Sequence, residues 1–296
     1  MSEINSIPAR LSLNTLSLSD SELQRVGKLI YKRAGIVVNA QKREMIFNRL
    51  SRRVRTLAFT SFSEYIGLLE SHSEHPEWQN FINALTTNLT SFFRESYHFP
   101  ILAEHARTRG NGYRVWCTAA STGEEPCSIA ITLDEKLGAA IGGPRVWASD
   151  IDTDVLTKAE AGVYRLSDLD PLTLAQKRHY FLRGAGDNSA WVKAKRELLS
   201  AIHYQQLNLL DETWSVPGPF DAIFCRNVMI YFDATTQQRL LQRFARLLKP
   251  GGLLFVGPSE HFTHSHIPLR LRGQSVYELT ETIRCAQFAF WRSLIP

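Results

Sequence analysis

The sequence predicts an α/β fold of Rossmann-like type, with a small inserted antiparallel β-subdomain and a small all-α domain in front. Three observations predict it. From about residue 112, short β-rich runs alternate with helical stretches, the grammar of a mostly parallel sheet covered by helices. Before about residue 87, only helical periodicity is found. Between Tyr164 and Asn208, a glycine-centred segment interrupts the alternation. The expected division is a helical domain over 12–71, a linker over 72–87 and the sheet domain over 88–280. The inserted subdomain falls at about 163–207, and a tail covers 281–296.

The helical region opens with Ser19 and Glu22 in capping-box spacing, followed by Leu23, Val26 and Ile30 at helical intervals up to Gly35. A second helix runs through KREMIFNRLSRRVRTLAF, with Ile46, Leu50, Val54 and Leu57 on one face. A third starts at the spacing of Ser61 and Glu64, a fourth follows Pro76, and SHSEHPE (71–77) is the expected hinge. The strands of the sheet domain are YRVWCTA, RVWASD, FDAIFCRN and GGLLFVG, with PCSIAITLDEKLG and TTQQRLLQRFARLLKP as crossover helices. In the insert, HYFLRGAGDNSAWVKAK carries a Gly-Ala-Gly-Asp-Asn turn between alternating residues and reads as a hairpin.

Composition sets bounds. The chain has 296 residues, 44% hydrophobic and 21% charged, as in ordinary globular proteins. No apolar run approaches a membrane span, and MSEINSIPARLSLNTLSLSD lacks the pattern of a secretory signal. Cys117, Cys127, Cys225 and Cys285 are scattered without a C-x-x-C pair, so a reducing cytoplasm is expected. A net charge of +5 permits an acidic partner without naming one.

The chemistry centres on V-W-C-T-A-A-S-T-G-E-E-P-C-S-I-A-I (115–131), a buried strand, a turn and a helix. Ligands bind beyond the carboxyl ends of strands in such sheets. A phosphate cradle needs backbone amides and freedom from negative charge, whereas here Glu124 and Glu125 follow Gly123 at once. A phosphate-free ligand with a cationic end, such as S-adenosylmethionine, removes the conflict. Taken alone, the turn favours a plainer reading: Ser121 with Glu124, or Thr122 with Glu125, forms a capping box with Pro126 in the first turn. A second element shifts the balance. RVWASD ends in Asp150, where an acid commonly accepts from a ribose diol, and Asp152 caps the next helix. Calcium is rejected for D-I-D-T-D because Val155 and Ala161 stand where the loop needs Gly and Glu. A third element, L-K-P-G-G-L-L-F-V-G (248–257), resembles the late part of adenosylmethionine-dependent methyltransferase domains. G-P-S-E-H lacks the second glycine of a nucleophile elbow, and His261, His264 and His266 have no acid or cysteine cluster beside them.

Five segments together carry a more specific resemblance: L-T-T-N-L-T-S-F-F-R-E (85–95), A-A-S-T-G-E-E-P (119–126), A-S-D-I-D (148–152), N-L-L (208–210) and I-F-C-R-N-V-M-I-Y-F-D (223–233). In order, from about Leu18 to Leu279, the chain resembles the CheR-type chemotaxis receptor methyltransferases. The resemblance implies a class I methyltransferase domain that uses S-adenosylmethionine and releases S-adenosylhomocysteine. It implies cofactor contacts at Asn88, Thr90, Arg94, Glu125, Asp150, Asn208, Leu209, Cys225, Arg226 and Asn227, with Arg94 and Tyr231 nearest the transferred methyl. The implied substrates are glutamate side chains on the cytoplasmic helices of chemoreceptors, and the implied product is a γ-methyl ester. In some members the inserted subdomain grips a receptor's C-terminal peptide by strand addition. Cys127 departs from a common Tyr, and the tail ETIRCAQFAFWRSLIP extends past the family's usual end.

The residues agree with that chemistry. A carboxylate with a pKa of about 4.3 is already ionised near neutrality, so attack on a methyl-sulfonium needs alignment and partial desolvation, not a general base. Arg94 suits a bidentate grip on a carboxylate, and Tyr231 suits orienting the same oxygen or plain packing beside Phe232. Lys42, Arg49, Arg52 and Arg53 share a helix face away from Ile46, Leu50 and Val54. Such a face over 42–55 reads as solvated surface, as a dock for acid-rich methylation helices, or as a phosphate-binding face of a nucleic-acid methyltransferase. The R-N-V-M-I-Y-F strand end argues against the nucleic-acid reading, and Arg94 with Tyr231 argues against a non-catalytic cofactor-binding regulator.

Overall fold

The computed structural model describes residues 16–140, 142–262 and 267–280. Helices α1 (Asp20–Ala34), α2 (Arg43–Thr56), α3 (Phe62–Ser71) and α4 (Glu77–Leu85) come first, with a 3₁₀ turn at Ala40–Lys42 before α2. The Ser19 capping box forms as its spacing predicts, with the Ser19 amide 2.8 Å from Glu22 Oε2. At α3 the serine caps Glu64, but Glu64 returns its bond to the amide of Thr60, one residue earlier than expected. Val26, Ile30, Ile46, Leu50, Val54, Phe62 and Phe81 are fully buried in one cluster.

The stretch expected as linker, 72–87, contains α4. Trp78, Phe81, Ile82 and Leu85 of α4 sit in the same helical core, so the apolar face of this helix belongs to the bundle. Glu77, 2% exposed, is gripped bidentately by Arg53 at 2.8 and 2.6 Å and accepts from the Tyr65 hydroxyl at 3.0 Å. Burial pulls its pKa up, yet the bonds from Arg53, Asn80 and Tyr65 outweigh this and hold it below the ordinary value.

After α5 (His98–Arg109), the chain alternates: β1 (Val115–Cys117), α6 (Glu124–Leu137), β2 (Val146–Asp150) and α7 (Thr153–Ala161). The insert holds β3 (Val163–Arg165), α8 (Leu174–Tyr180), β4 (Phe181–Arg183), β5 (Trp191–Ala194) and α9 (Arg196–Ser200). There follow β6 (Ile202–Gln206), β7 (Phe220–Cys225), α10 (Ala234–Leu247), β8 (Leu248–Val256), β9 (Leu269–Gly273) and β10 (Val276–Leu279). The main sheet has the order β6-β2-β1-β7-β8-β10-β9. Its first five strands are parallel, while β10 runs antiparallel to β8 and β9 antiparallel to β10. The hairpin forms a separate antiparallel sheet, β3-β5-β4.

The segment AIHYQQLNL was expected within the insert, but its strand β6 pairs in parallel with β2 from Ile202↔Val146 to Gln206↔Asp150. The inserted sheet therefore ends before β6. At the other edge, β9 and β10 were not expected as strands.

The chain runs outward from β1 through β2 to β6, then returns to the other side of β1 with β7 and β8. That reversal opens a crevice beyond the carboxyl ends of β1, β2 and β7, the place where open α/β sheets bind ligands. Fully buried side chains fill both sheet faces, among them Phe224 stacked on Phe255 at 4.2 Å. On the other face lies Trp116, whose indole donates to Ser149 Oγ at 2.9 Å.

Candidate functional site

The crevice is one wall of a cleft; the helical domain is the other. The cleft encloses about 1150 Å³ of space, part of it open to solvent. Ala34, Ile36, Val38, Lys42, Met45 and Ile46 line it from the helical side, and the carboxyl ends of β1, β2 and β7 line it from the sheet. Polar bonds fix the two walls. The Asn208 amide donates to the Arg33 carbonyl at 2.7 Å, the Val37 amide to the Tyr231 carbonyl at 2.9 Å, and the Tyr31 hydroxyl to Asp233 at 2.6 Å. Across the floor, Gln79 donates to the Ile151 carbonyl and Asn83 to Thr153, both at 2.9 Å.

The turn after β1 is not built as a phosphate cradle. Gly123 has φ +100°, and a Cβ there would lie 2.7 Å from the Tyr164 hydroxyl and 3.0 Å from Ala159 Cβ. The glycine is needed for close packing against α7 and the insert. Neither expected capping box forms: Gly123 itself is the N-cap of α6, Thr122 donates to Glu124 at 2.7 Å, and Ser121 donates to the Asn88 carbonyl at 3.0 Å. The positive φ of Ser121 (48°) and Gly123 turns the chain too sharply for a side chain to reach back over the helix end.

Asp150 ends β2 and is 8% exposed. Its Oδ2 accepts from the Ser121 amide at 2.8 Å and its Oδ1 from the Asp152 amide at 3.0 Å. A carboxylate has about four acceptor positions, so both oxygens keep capacity toward the cleft. Burial pushes the pKa of Asp150 up to about 6 although the two amides pull it down. Asp152 caps α7 through Asp154 and Val155, as the sequence predicts, and its other oxygen takes the Asn88 amide at 2.8 Å.

Glu125, one of two acids in the turn, is not left over for a ligand. Its Oε2 is 2.7 Å from Arg226 Nη1, and its Oε1 accepts from the Cys117 thiol at 3.3 Å. Burial raises its pKa, with Arg226 opposing. Arg226, with 1% of its side chain exposed, also pairs with Glu95 at 2.9 Å and donates to the Arg94 carbonyl. Glu95 accepts in turn from Asn227 Nδ2 at 3.1 Å. This buried network locks the segment around Arg94 to the end of β7.

Of the expected site residues, Asn88, Thr90, Arg94, Glu125, Asp150, Asn208, Leu209, Arg226, Asn227 and Tyr231 all line the cleft. Cys225 does not: its side chain is 0% exposed in the core of the sheet, where burial raises its pKa well above the ordinary thiol value. Asn88 and Asn208 line the cleft with their side-chain amides already committed to Asp152 and Arg33. Arg94 keeps most of its five donors beyond one bond to the Leu89 carbonyl at 2.8 Å.

Three residues escaped sequence reasoning. Glu95 follows Arg94 in F-F-R-E, but nothing local marks it as the partner of a distant arginine. Glu260, in the rejected G-P-S-E-H motif, is 3% exposed and accepts from the amides of Gly257, Asn227 and Ile230 at 2.5, 3.1 and 3.3 Å. It fastens the loop bearing Asn227 and Tyr231 to the end of β8, and burial raises its pKa against those bonds. Lys42, read as part of a basic outer face, lines the cleft with its Nζ 5.2 Å from the Tyr231 ring centre, and burial lowers its pKa. His264, His266 and the tail 281–296 lie outside the described residues.

Two family models cover nearly the whole described chain: the CheR methyltransferase all-alpha domain over residues 21–86 and the CheR methyltransferase SAM binding domain over residues 88–277. This chain belongs to the CheR methyltransferase family. Among its relatives is the chemotaxis protein methyltransferase of Klebsiella aerogenes, 60% identical over 266 residues, or 90% of this chain and 92% of the relative. That of Escherichia coli is 57% identical, covering 90% and 93%, and chemotaxis protein methyltransferase 2 of Pseudomonas aeruginosa is 49% identical, covering 86% and 92%. As in the family, S-adenosylmethionine is the cofactor. The CheR cleft suits it: acids border the turn, no phosphate cradle exists, and Asp150 retains acceptor capacity for hydroxyl donors. No helix among the described residues is long and apolar enough to cross a membrane.

Proposed function

We propose that the protein transfers a methyl group to glutamate side-chain carboxylates of chemoreceptors in the cytoplasm, forming γ-glutamyl methyl esters for adaptation in bacterial chemotaxis. The observation that carries this reading is the convergence of Arg94 and Tyr231 on the cleft that also contains Asp150. Bound S-adenosylmethionine supplies an electrophilic methyl on a sulfonium. Asp150 accepts from hydroxyls of the cofactor, and the backbone at the end of β7, through Cys225, Arg226 and Asn227, forms the wall beside it. Asn88, Thr90, Glu125, Asn208 and Leu209 shape the rest of the site.

The free guanidinium donors of Arg94 orient the incoming carboxylate, and the Tyr231 hydroxyl orients one of its oxygens. The grip is a loose one, because the carboxylate loses its charge in becoming an ester and a tight hold on the charged form would raise the barrier. No proton has to be removed, which accounts for the lack of a base-activated nucleophile in the reading.

Recognition of the receptor is assigned to two places. On α2, Arg49 donates to the carbonyls of Ala84 and Thr86 and Arg53 holds Glu77, so both face inward. Arg52 and Arg55 are exposed and form the docking face for acidic methylation helices. In the insert, β3 and β4 are the two edge strands, and β4 presents Leu182, 57% exposed, beside a shallow groove. An extended receptor C-terminal peptide would add to an edge by backbone hydrogen bonds. Lys193 and Arg196 are exposed for its acids, while Lys195 is bound to the Arg178 carbonyl.

The test combines the full chain, methyl-labelled cofactor and membranes carrying chemoreceptors. Base-labile label on the receptor is expected; label on RNA, or none on any receptor, would contradict the proposal.

A further inference from the structure

We infer that the mouth of the cleft carries an apolar seat, formed by Leu89, Ile230 and Val37, which selects the residues flanking the target glutamate. Single exposed apolar residues are ordinary. These three, 80%, 52% and 44% exposed, differ in where they stand. Leu89 lines the cleft, and its carbonyl accepts from Arg94. Ile230 directly precedes Tyr231, and the Val37 amide donates to the Tyr231 carbonyl. Each is thus one covalent or hydrogen bond from a residue assigned to the methyl-transfer end.

They are also held in place. Leu89 follows Asn88, whose amide donates to Asp152 and whose carbonyl accepts from Ser121. The Ile230 amide is held by Glu260. The leucine and isoleucine are displayed on pinned backbone, with no packing inside the chain to explain their exposure.

The occupant follows from continuity with the site and rests on the proposed methylation of receptor glutamates. A carboxylate that reaches Arg94 brings its carrier across this rim. If the carrier is a helix, residues three and four positions either side of the glutamate share its face and meet the seat. Apolar or small residues there bury surface against Leu89, Ile230 and Val37; a charge there would lose its water without a partner. Arg52 and Arg55 then attract the acidic helix from a distance, and the rim chooses among its glutamates by their neighbours.

The experiment measures initial rates of receptor methylation for the full chain and for Leu89→Ser, Ile230→Ser and Leu89→Met, with adenosylhomocysteine affinity measured in parallel. Each serine variant is expected to raise KM for the receptor at least about fivefold, from lost apolar burial, with adenosylhomocysteine affinity unchanged and Leu89→Met close to the parent chain. In receptors with Lys placed four residues after the methylated Glu, the penalty seen with the parent chain should shrink in Leu89→Ser. Unchanged KM in both folded serine variants would overturn the inference while leaving receptor methylation standing. A matching loss of adenosylhomocysteine affinity would instead make Leu89 a cofactor residue and overturn its part in the seat. No label on any receptor from the parent chain would remove the methylation reading, and the seat with it.

Discussion

Asp150 is the residue on which the cofactor assignment depends most. Replacing it by Ala removes a charged acceptor, which should weaken binding of S-adenosylhomocysteine by about 1.5–3 kcal/mol, measured by calorimetry; unchanged affinity in a folded variant would exclude it from the site. The pH dependence has a definite sign. In the free protein burial holds the pKa of Asp150 at about 6, and hydroxyl donors from a ligand stabilise the ionised form. Binding therefore releases a proton, and affinity should fall as pH drops through 6, a trend absent from Asp150→Asn. Arg94→Ala should lower turnover far more than adenosylhomocysteine affinity, because the guanidinium donors point to alignment; equal losses would reduce it to a binding residue. The local motif around Asp150 was legible because an acid at a strand end has a meaning in any sheet of this type. Glu95 and Glu260 were not, since their partners Arg226 and Asn227 lie 131 to 132 and 33 positions away in sequence.

At the scale of elements, the central strands and covering helices could be read because apolar β-rich runs and helical periodicity leave strong patterns. The edge strands could not. In β6 only Ile202 is buried, and in β9 no residue is, so neither shows the apolar run of a central strand. The α6 cap shows the opposite error: capping-box spacing is present, but the left-handed Ser121 and Gly123 decide the turn. Gly123→Ala should therefore destabilise the fold by about 1–2 kcal/mol or more, from the left-handed backbone alone, and lower the melting temperature; an unaltered melt would show that the contact with Tyr164 is not tight. The basic face of α2 was overread. Arg53→Ala leaves Glu77 buried without its cation, which should cost about 3–5 kcal/mol, read as early melting of the helical domain. Only Arg52 and Arg55 test docking cleanly, through a methylation rate that falls more steeply with salt in the parent chain than in Arg52→Ala/Arg55→Ala.

For the whole molecule, the helical domain is part of the active cleft: it supplies one wall, and its Val37 and Lys42 touch the loop of Tyr231. Sequence periodicity identified both domains but carries no information on how one closes over the other, because the bonds that join them are single polar contacts such as Asn208 to Arg33. That arrangement places cofactor pocket, alignment residues and receptor-facing surfaces around one opening. Its consequence is tested most directly by incubating the chain with a receptor cytoplasmic fragment and deuterated-methyl S-adenosylmethionine, then locating the label by tandem mass spectrometry. The expected result is a labelled methyl ester on glutamate side chains, removed by mild base and lost with Arg94→Ala. Label on any other residue type, or a receptor left unlabelled while the cofactor binds, would contradict the account.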